Sequence, residues 1–544
     1  MGYVLLWAEN LGVSLLLVAT LLACIGRLRW RPVRLGLSLL VVLPLLIFYG
    51  GVTGAAAHMK FNKQLAGNHF DSLLALTICF LIGAIWLLRR ARPRASDELP
   101  AAAAWPRGRL AIALVVAVAL HMMTFWNLDL SVRQRIAELQ SDAGRLALSV
   151  APARLADRDN AALIYQRAFE AMGPDNSWPK AWDEKWADGL GPKKPDFDLQ
   201  DPALKEFLRQ QTPALLLLRQ AAQKPGCYFD RDYGRPSISM LLPELAQLRR
   251  GSRLLALDVR FQAAQGNVAQ AIRDVGTMYA MSQHSGSDPL LIAMLVAIAV
   301  DATASDSLQF LLANASVSTE DLALVDIDES VSYRRLLERS FRMEEAFGMY
   351  VFGQMGEDFD LRMFEDGPSP GPTGIGPLYR VFLLNDDLIA HRRAFESLRS
   401  MTGGPYYDTK DRWTSFEKNV VAGPRGLLTS MLLPALAKCA ETAARGDAKR
   451  DTARVALAAC RYRIVQGHLP EKLDQLIPEY MTVVPRDPFD GKPLRWKRTD
   501  GGGVVYSIGP DSVDDGGAPF DKENKKGDDK KKGDIAFHLP ALPQ

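Results

Sequence analysis

Four apolar stretches near the amino terminus constrain this chain more than any other feature of its sequence. They cover residues 4–25, 33–52, 70–88 and 110–128. Each reaches or approaches the ~20 residues that a hydrocarbon core about 30 Å thick requires of a transmembrane helix. Half of the tryptophans lie at or near the ends of these stretches, where amphipathic rings favour the headgroup layer. Residues 1–128 are therefore predicted to form four transmembrane helices, with the lipid bilayer as their partner.

Basic residues are distributed unevenly around these stretches. Four arginines crowd the first connection and six crowd the third, whereas the second holds only Lys60 and Lys63. Because loops rich in Lys and Arg stay in the cytoplasm, both ends of the chain are predicted to lie outside. The expected location is the cytoplasmic (inner) membrane of a bacterium, as a multi-pass protein with a large extracytoplasmic remainder. We expect protein partners on that outer side.

Charge separates the two parts of the chain. Residues 1–128 carry a net charge of +8, whereas the remainder carries −5, with 23% charged residues overall. This charged fraction and the abundant apolar residues exclude a wholly disordered chain. The remainder is net acidic, and no nucleic-acid partner is expected.

Residues 129–426 show apolar side chains at spacings of three and four, which predicts helices broken at Gly and Pro clusters. The clearest unit predicts helices over 241–265, 268–285 and 290–313, with a tight turn at Gly266–Asn267. Small residues around that turn let two backbones approach closely. The hairpin resembles those of tetratricopeptide repeats, but no 34-residue period recurs elsewhere. We therefore predict an irregular extracytoplasmic helical array.

Three features of the array suggest functions. A repeat of Trp178, Trp182 and Trp186 predicts either a sticky surface patch or a face packed on the array. The Gly/Pro-rich residues 367–377 predict a flexible loop or lid. An acidic run predicts either a cation-binding pocket or a solvated helix face. Its members are Glu344, Glu345, Glu357, Asp358 and Asp360.

Residues 427–544 change character. A helix over 453–465 is predicted to end at Gly467, and short β-type runs follow at 494–497, 504–508 and 535–539. A long helix followed by a small antiparallel sheet makes this a small α+β domain. The overall prediction is thus a mainly α chain: four transmembrane helices, the helical array and this carboxy-terminal domain.

The carboxy-terminal domain resembles the globular part of the major (G-type) pseudopilins of type II secretion systems. The matching residues are Tyr462, Gly467, Pro470, Asp487, Pro488, Gly491, Trp496, Tyr506, Ser507, Gly509, Asp511, Gly516, Gly517, Asp534 and Ile535. The match covers roughly the last hundred residues. Pseudopilins begin with a short basic leader and an apolar helix, whereas here the module follows more than 420 residues. We therefore expect this chain to carry a pseudopilin-like globular domain without assembling as a pilus subunit.

The resemblance implies a calcium site, because pseudopilins of this kind bind Ca²⁺ in the loop between the last strands. Asp511 and Asp534 match the aspartates involved, and Asp514 or Asp515 completes the set. Calcium takes six to eight oxygen ligands, which carboxylates on a Gly-rich turn can supply. Two alternatives are open: the aspartates are ordinary turn formers, or the Lys-rich residues 522–532 neutralise them.

The five cysteines form no CxxC pair, which excludes a zinc ribbon and a haem-attachment module. Cys439 and Cys460 flank a break suggested by residues 446–450. A disulfide between them is expected only if the two flanking helices fold back as a hairpin, and not if the helix is continuous. Cys227 is expected to stay unpaired.

The sequence contains no nucleophile elbow, zinc-protease motif, phosphate-binding loop or dinucleotide fingerprint. We therefore expect no catalytic residues. The leading hypothesis is a bacterial membrane-anchored protein that has an interaction or structural function and carries a pseudopilin-like head. The alternative is a membrane-bound hydrolase with the acidic run as its pocket. A third hypothesis is a sensor, but its cytoplasmic loops would be short.

Overall fold

The computed structural model describes residues 134–174, 178, 198–236, 242–357, 384–422, 434–499, 502–519 and 533–541. The four predicted transmembrane helices lie outside the described residues and stay a prediction.

Contacts divide the chain into two compact units. The larger comprises Gln140–Val351, His391–Lys418 and Leu432–Gln544. The smaller comprises Met1–Leu139, Phe352–Ala390 and Asn419–Met431. The features discussed below belong to the larger unit. This division groups Leu432–Gln544 with the helical array, although the sequence suggested residues 427–544 as a separate domain.

Helices dominate the described residues, which confirms the mainly helical prediction. The helices are α1 (134–150), α2 (Ala162–Met172), α3 (Pro202–Ala222), α4 (Pro243–Ala264), α5 (Val268–Gly286), α6 (Leu291–Asn314), α7 (Thr319–Leu322), α8 (Tyr333–Glu357), α9 (Leu384–Thr402), α10 (Tyr406–Ala422) and α11 (Pro434–Gln466). Short 3-10 turns occur at Asp157–Asp159 and Leu473–Leu476.

The predicted hairpin is present as α4 and α5. Gly266 has φ +79°, a left-handed conformation that favours glycine. The Gly266 amide donates to the Ala263 carbonyl at 3.1 Å, and the Asn267 amide donates to the Gln262 carbonyl at 2.8 Å. These two bonds form a Schellman closure, which satisfies carbonyls that the end of α4 leaves open.

Helix α6 is apolar on nearly all sides and occupies the centre of the larger unit. Within the part of the chain that the structure describes, it is the one helix long and apolar enough to cross a membrane, with a mean hydropathy of 1.7. It contacts α4, α5, α11 and the sheet, and most of its apolar window is buried. A helix that is hydrophobic all round suits a core position of this kind.

The carboxy-terminal residues form a three-stranded antiparallel sheet in the order β1-β2-β3. The strands are β1 (Arg495–Thr499), β2 (Gly502–Ser507) and β3 (Ile535–Leu539). Strand β2 is buried throughout, and α11 packs on β2 and β3. The predicted order of a long helix followed by a small sheet is therefore observed. Kinship with pseudopilins stays a prediction.

The helical array and the sheet share one hydrophobic core. Leu257 of α4, Met278 of α5 and Leu457 of α11 belong to the same buried cluster as Val505 of β2 and Phe537 of β3. Because burial of apolar surface is the main stabilising contribution to folding, the sheet and the array depend on each other for stability.

Helix α11 is continuous over its 33 residues. Cys439 and Cys460 are 21 positions apart on it, which at 1.5 Å per residue is about 32 Å. A disulfide needs the two Cα atoms within about 7 Å. The conditional disulfide is therefore excluded, and both residues, like Cys227, are buried and form no disulfide.

The contact between α8 and α9 makes Gly348 intolerant of a side chain. A Cβ added there would lie 2.1 Å from Cε1 of His391 and 2.5 Å from its Nε2. The imidazole has little room to move, because it is buried and its Nε2 lies 3.1 Å from the Glu345 carbonyl.

We predict that Gly348→Ala lowers the free energy of unfolding by about 2 kcal/mol through this overlap, measured by denaturant titration of the purified full-length protein. The control is Gly403→Ala, where nothing lies within 4 Å of an added Cβ. Equal unfolding midpoints for the two variants would contradict the proposed close packing.

Candidate functional site

A cleft of about 330 Å³ opens in the larger unit. It lies between the start of α8, the start of α10, the middle of α11 and the loop that precedes β1. Its volume is in the range of small-molecule sites.

Helix α11 forms one wall. The residues that it contributes recur every three or four positions and so share one helix face. They are Ala440, Ala443, Ala444, Asp447, Asp451 and Arg454. The alanines leave space at one end of the wall, and the charged side chains occupy the other. The cleft therefore has an apolar end and a polar end.

Asp447 connects this wall to the start of α8. Its Oδ1 accepts a hydrogen bond from the Tyr333 amide at 2.7 Å, and its Oδ2 accepts one from the Arg334 amide at 3.3 Å. A carboxylate at this place satisfies amides that have no partner within the helix and complements the positive helix end. Burial raises the pKa of Asp447 to about 7, against the lowering effect of the Tyr333 amide.

Asp451 lies one turn further along the wall. Nη2 of Arg454 lies 3.2 Å from its Oδ1, and Nη1 of Arg454 lies 3.7 Å from Oε2 of Glu329. Burial raises the pKa of Asp451 to about 6, although Arg454 and Arg450 lower it. Nε of Arg454 is buried and has no hydrogen-bond partner within the described residues. The polar end thus offers carboxylate acceptors, while Arg454 is held between its two acidic neighbours.

Aromatic side chains of α10 form a second wall. Tyr406 packs edge-on against Phe489, with ring centroids 5.5 Å apart. Nε1 of Trp413 donates to Oγ1 of Thr409 at 3.1 Å. Tyr407 completes this wall, half-buried like Tyr406. The wall is held by its own contacts and is available to pack against an apolar ligand group.

The loop before β1 depends on Asp487, which is fully buried. Its Oδ1 accepts from Oγ of Ser507 at 2.8 Å and from the Phe489 amide at 3.0 Å. Its Oδ2 accepts from the Ile508 amide and from Nη1 of Arg495, both at 2.9 Å. These four bonds fix the cleft wall at residues 485–488, so Asp487 acts by positioning the loop.

The four aspartates predicted to bind calcium lie in the turns between β2 and β3. Oδ2 of Asp534 accepts from the Gly517 amide at 2.7 Å, and Oδ1 of Asp514 accepts from the Gly516 amide at 3.0 Å. Oδ1 of Asp511 accepts from the Val513 amide at 3.2 Å. The Asp515 amide lies 3.4 Å from Oδ1 of Asp534, while the Asp515 side chain is exposed.

These contacts are those of hydrogen-bonded turns. Nε of Arg495 also lies 3.2 Å from Oδ2 of Asp514 and supplies a positive charge. Among the described residues, no group of three His, Cys, Asp or Glu side chains is arranged to hold a metal ion. The Lys-rich residues 522–532 lie outside the described residues. No calcium cage is seen among the described residues, which leave out part of this loop, and the calcium site stays a prediction.

The predicted acidic run does not come together in the described residues. Oε1 of Glu344 accepts from the Leu291 amide at 3.3 Å, at the start of α6. Glu345 pairs with Arg399 of α9 instead. The side chains of the other three members and the Gly/Pro-rich residues 367–377 lie outside the described residues.

Trp178 packs on the array, as one of the two alternatives expected. Its ring lies 5.6 Å from that of Phe207 in an edge-on arrangement, and the Arg250 guanidinium stacks 4.2 Å from its centroid. Trp182 and Trp186 lie outside the described residues.

Asp447 and Asp451 were not predicted as site residues from the sequence. Two aspartates four positions apart in an Ala-rich, Arg-rich helix share one face, and this spacing was the available signal. The aromatic and loop walls carried no such signal, because they come from distant parts of the chain.

Glu344 gives a testable pH dependence. Burial raises its pKa from 4.5 to about 7. Between these values the unfolded chain releases the proton and the folded chain keeps it, so the free energy of unfolding falls as pH rises. Glu344→Gln cannot ionise, and we expect it to gain about 2 kcal/mol relative to wild type between pH 4.5 and 7.5 in denaturant titrations.

The control is Glu206→Gln. Hydrogen bonding to Arg209 lowers the pKa of Glu206 from 4.5 to about 2, so its folded ionisation lies below this window and its unfolded ionisation lies at the lower edge. A Glu344→Gln effect that is constant with pH would contradict the assignment.

Comparison with family models, with curated proteins and with solved structures gives no match to this chain.

Proposed function

We propose that this chain is a bacterial membrane-anchored interaction protein whose extracytoplasmic unit binds a ligand or partner segment in the cleft. The observation that carries the proposal is the cleft itself, which is lined by carboxylates, arginines and aromatic side chains. Binding sites commonly combine an apolar lining with a few convergent polar groups. The pseudopilin-like head and its calcium site remain part of this proposal.

The membrane placement is supported by the sequence. Four apolar stretches of spanning length precede the described residues, and their arginine-rich connections favour a folded unit on the outer side. An anchored binding unit is consistent with the acidic net charge of the remainder.

A membrane-bound hydrolase is the second candidate. It is favoured by the two carboxyl groups at the polar end, Asp447 with a pKa of about 7 and Asp451 with a pKa of about 6. Such groups titrate near neutral pH, where proton donors and acceptors of enzymes work best.

The test is a thermal-shift screen of the full-length protein in detergent against amines, short peptides, sugars and carboxylic acids. We expect at least one compound to raise the melting temperature, because a ligand that binds only the folded chain stabilises it. Ser332→Tyr, which places a bulky side chain in the cleft lining, should abolish the shift. The control Asp230→Asn, at an exposed position outside the cleft, should retain it.

A shift that survives Ser332→Tyr, or no shift with any compound, would contradict the binding proposal. Conversion of a bound compound to a hydrolysis product, lost in Asp451→Asn, would favour the hydrolase over the interaction protein.

A further inference from the structure

We infer that the cleft takes a ligand with an ammonium group on an apolar or aromatic body, either a small primary amine or the free amino end of a peptide. This inference rests on the proposed function and names the chemistry of the ligand for the same site.

The polar end favours a cation. Both oxygens of Asp447 accept bonds from peptide amides, and no salt bridge to Asp447 is found among the described residues. Each carboxylate oxygen has a second acceptor site, and an ammonium group offers three donors. A charge-assisted bond of this kind is stronger than one from a neutral donor.

The arginines of the cleft are engaged elsewhere. Nη1 of Arg334 donates to the Thr402 carbonyl at 2.9 Å, and Nη1 of Arg486 donates to the Gly491 carbonyl at 2.9 Å. Arg454 lies between Asp451 and Glu329. These arrangements leave Asp447 as the carboxylate with an open place for a cationic partner.

The apolar and aromatic lining of the cleft favours a ligand whose uncharged part is apolar. Leu337, Met401 and the alanines of α11 supply aliphatic lining, and Tyr406, Tyr407 and Trp413 supply aromatic lining. A flat apolar group gains buried area and ring contacts there. A volume of about 330 Å³ suits a body of roughly one or two amino-acid residues.

The proton state of the site supports this chemistry. Burial and the neighbouring Asp451 raise the pKa of Asp447, and a cation placed beside it favours the charged form. Binding is therefore expected to tighten between pH 5.5 and 7.5. The other charged groups that line the cleft are Asp451, Glu329, Arg334, Arg454, Arg486 and Asp487.

The experiment is isothermal titration calorimetry of the full-length protein in detergent at pH 7.5 with L-phenylalanine amide. 3-Phenylpropanamide is the matched probe, since hydrogen replaces the ammonium group and the rest of the molecule is unchanged. We expect this uncharged probe to bind at least tenfold more weakly. This comparison needs no protein variant and so does not depend on the folding of a mutant.

Protein variants add a second measurement. Asp447→Asn should weaken the free-amine probe tenfold or more, and Asp230→Asn should not change it. If Asp447→Asn fails to fold, Asp451→Asn provides a smaller loss in the same direction. Equal affinity of both probes for the wild-type protein would overturn the inference.

Two further probes distinguish the sources of the amine. Phenethylamine represents a small amine, and the tripeptide Phe-Ala-Ala represents a peptide amino end. Binding of either probe supports a ligand with an ammonium group. The probe that binds more tightly identifies the source of that group as a small amine or a peptide amino end. If no amine binds while another compound gives a shift sensitive to Ser332→Tyr, the ligand class is wrong and the proposed function stands. If no compound gives a thermal shift that Ser332→Tyr abolishes, the inferred ligand class and the proposed function are both wrong.

Discussion

Replacing Asp301 with alanine should lower the free energy of unfolding by about 3 to 5 kcal/mol, because it leaves a buried arginine without its counter-charge. Asp301 of α6 lies 2.5 Å from Nη1 of Arg450 of α11, and both side chains are almost wholly inaccessible to solvent. The Tyr333 hydroxyl of α8 donates to the same Asp301 oxygen. The network therefore joins three helices around the core.

Urea titration of the full-length protein in detergent, followed by far-ultraviolet circular dichroism, measures this effect. The matched control is the double variant Asp301→Leu with Arg450→Met, which removes both charges and fills the space with apolar atoms. We expect it to be more stable than Asp301→Ala, because buried ion pairs replaced by apolar residues often cost little. A double variant less stable than the single one would contradict the account.

Replacing Asp487 with alanine should have a comparable effect, about 3 kcal/mol. The change removes the acceptor for four hydrogen bonds and leaves the buried Ser507 hydroxyl and the Ile508 amide without it. Unsatisfied buried donors carry their full desolvation cost. The loop wall of the cleft should lose order together with the β1–β2 hairpin.

Asp514→Ala is the matched control, because Asp514 contacts the same Arg495 but is about half exposed. Exposed ion pairs contribute little, so its loss should stay below about 1 kcal/mol. Urea midpoints measure both variants, and probe binding measures the cleft. Equal midpoints would show that Asp487 does not organise the loop.

Local signals in the sequence were sufficient to predict part of the fold. The turn at Gly266–Asn267 was predictable because only a residue tolerant of positive φ closes α4 in that way. The strands were predictable because short β-type runs stand between Gly/Asp turns. Their observed limits differ from the predicted ones by at most a few residues.

The continuity of α11 was not predictable in the same way. Gly446 suggested a break, but a Cβ there would lie 2.8 Å from the Tyr333 ring. The glycine permits α8 and α11 to pack closely, and only the tertiary structure reveals that use. Surrounding contacts carry the helix past a residue of low helix propensity.

The cleft depends on long-range contacts to an even greater degree. The Asp447 carboxylate meets amides of Tyr333 and Arg334 that are more than 110 positions away in the chain. No local pattern specifies such a meeting. Only the spacing of Asp447 and Asp451 on one helix face was visible in the sequence.

The side of the membrane on which the folded unit lies is the central claim. The most direct test is a fusion after Gln544 to a phosphatase that becomes active only after export from the cytoplasm. A fusion in the second connection, after Lys63, should share its activity, and one in the third, after Arg92, should be inactive. We predict high phosphatase activity for the Gln544 fusion; an inactive but fully expressed fusion would place the cleft in the cytoplasm and contradict the proposal.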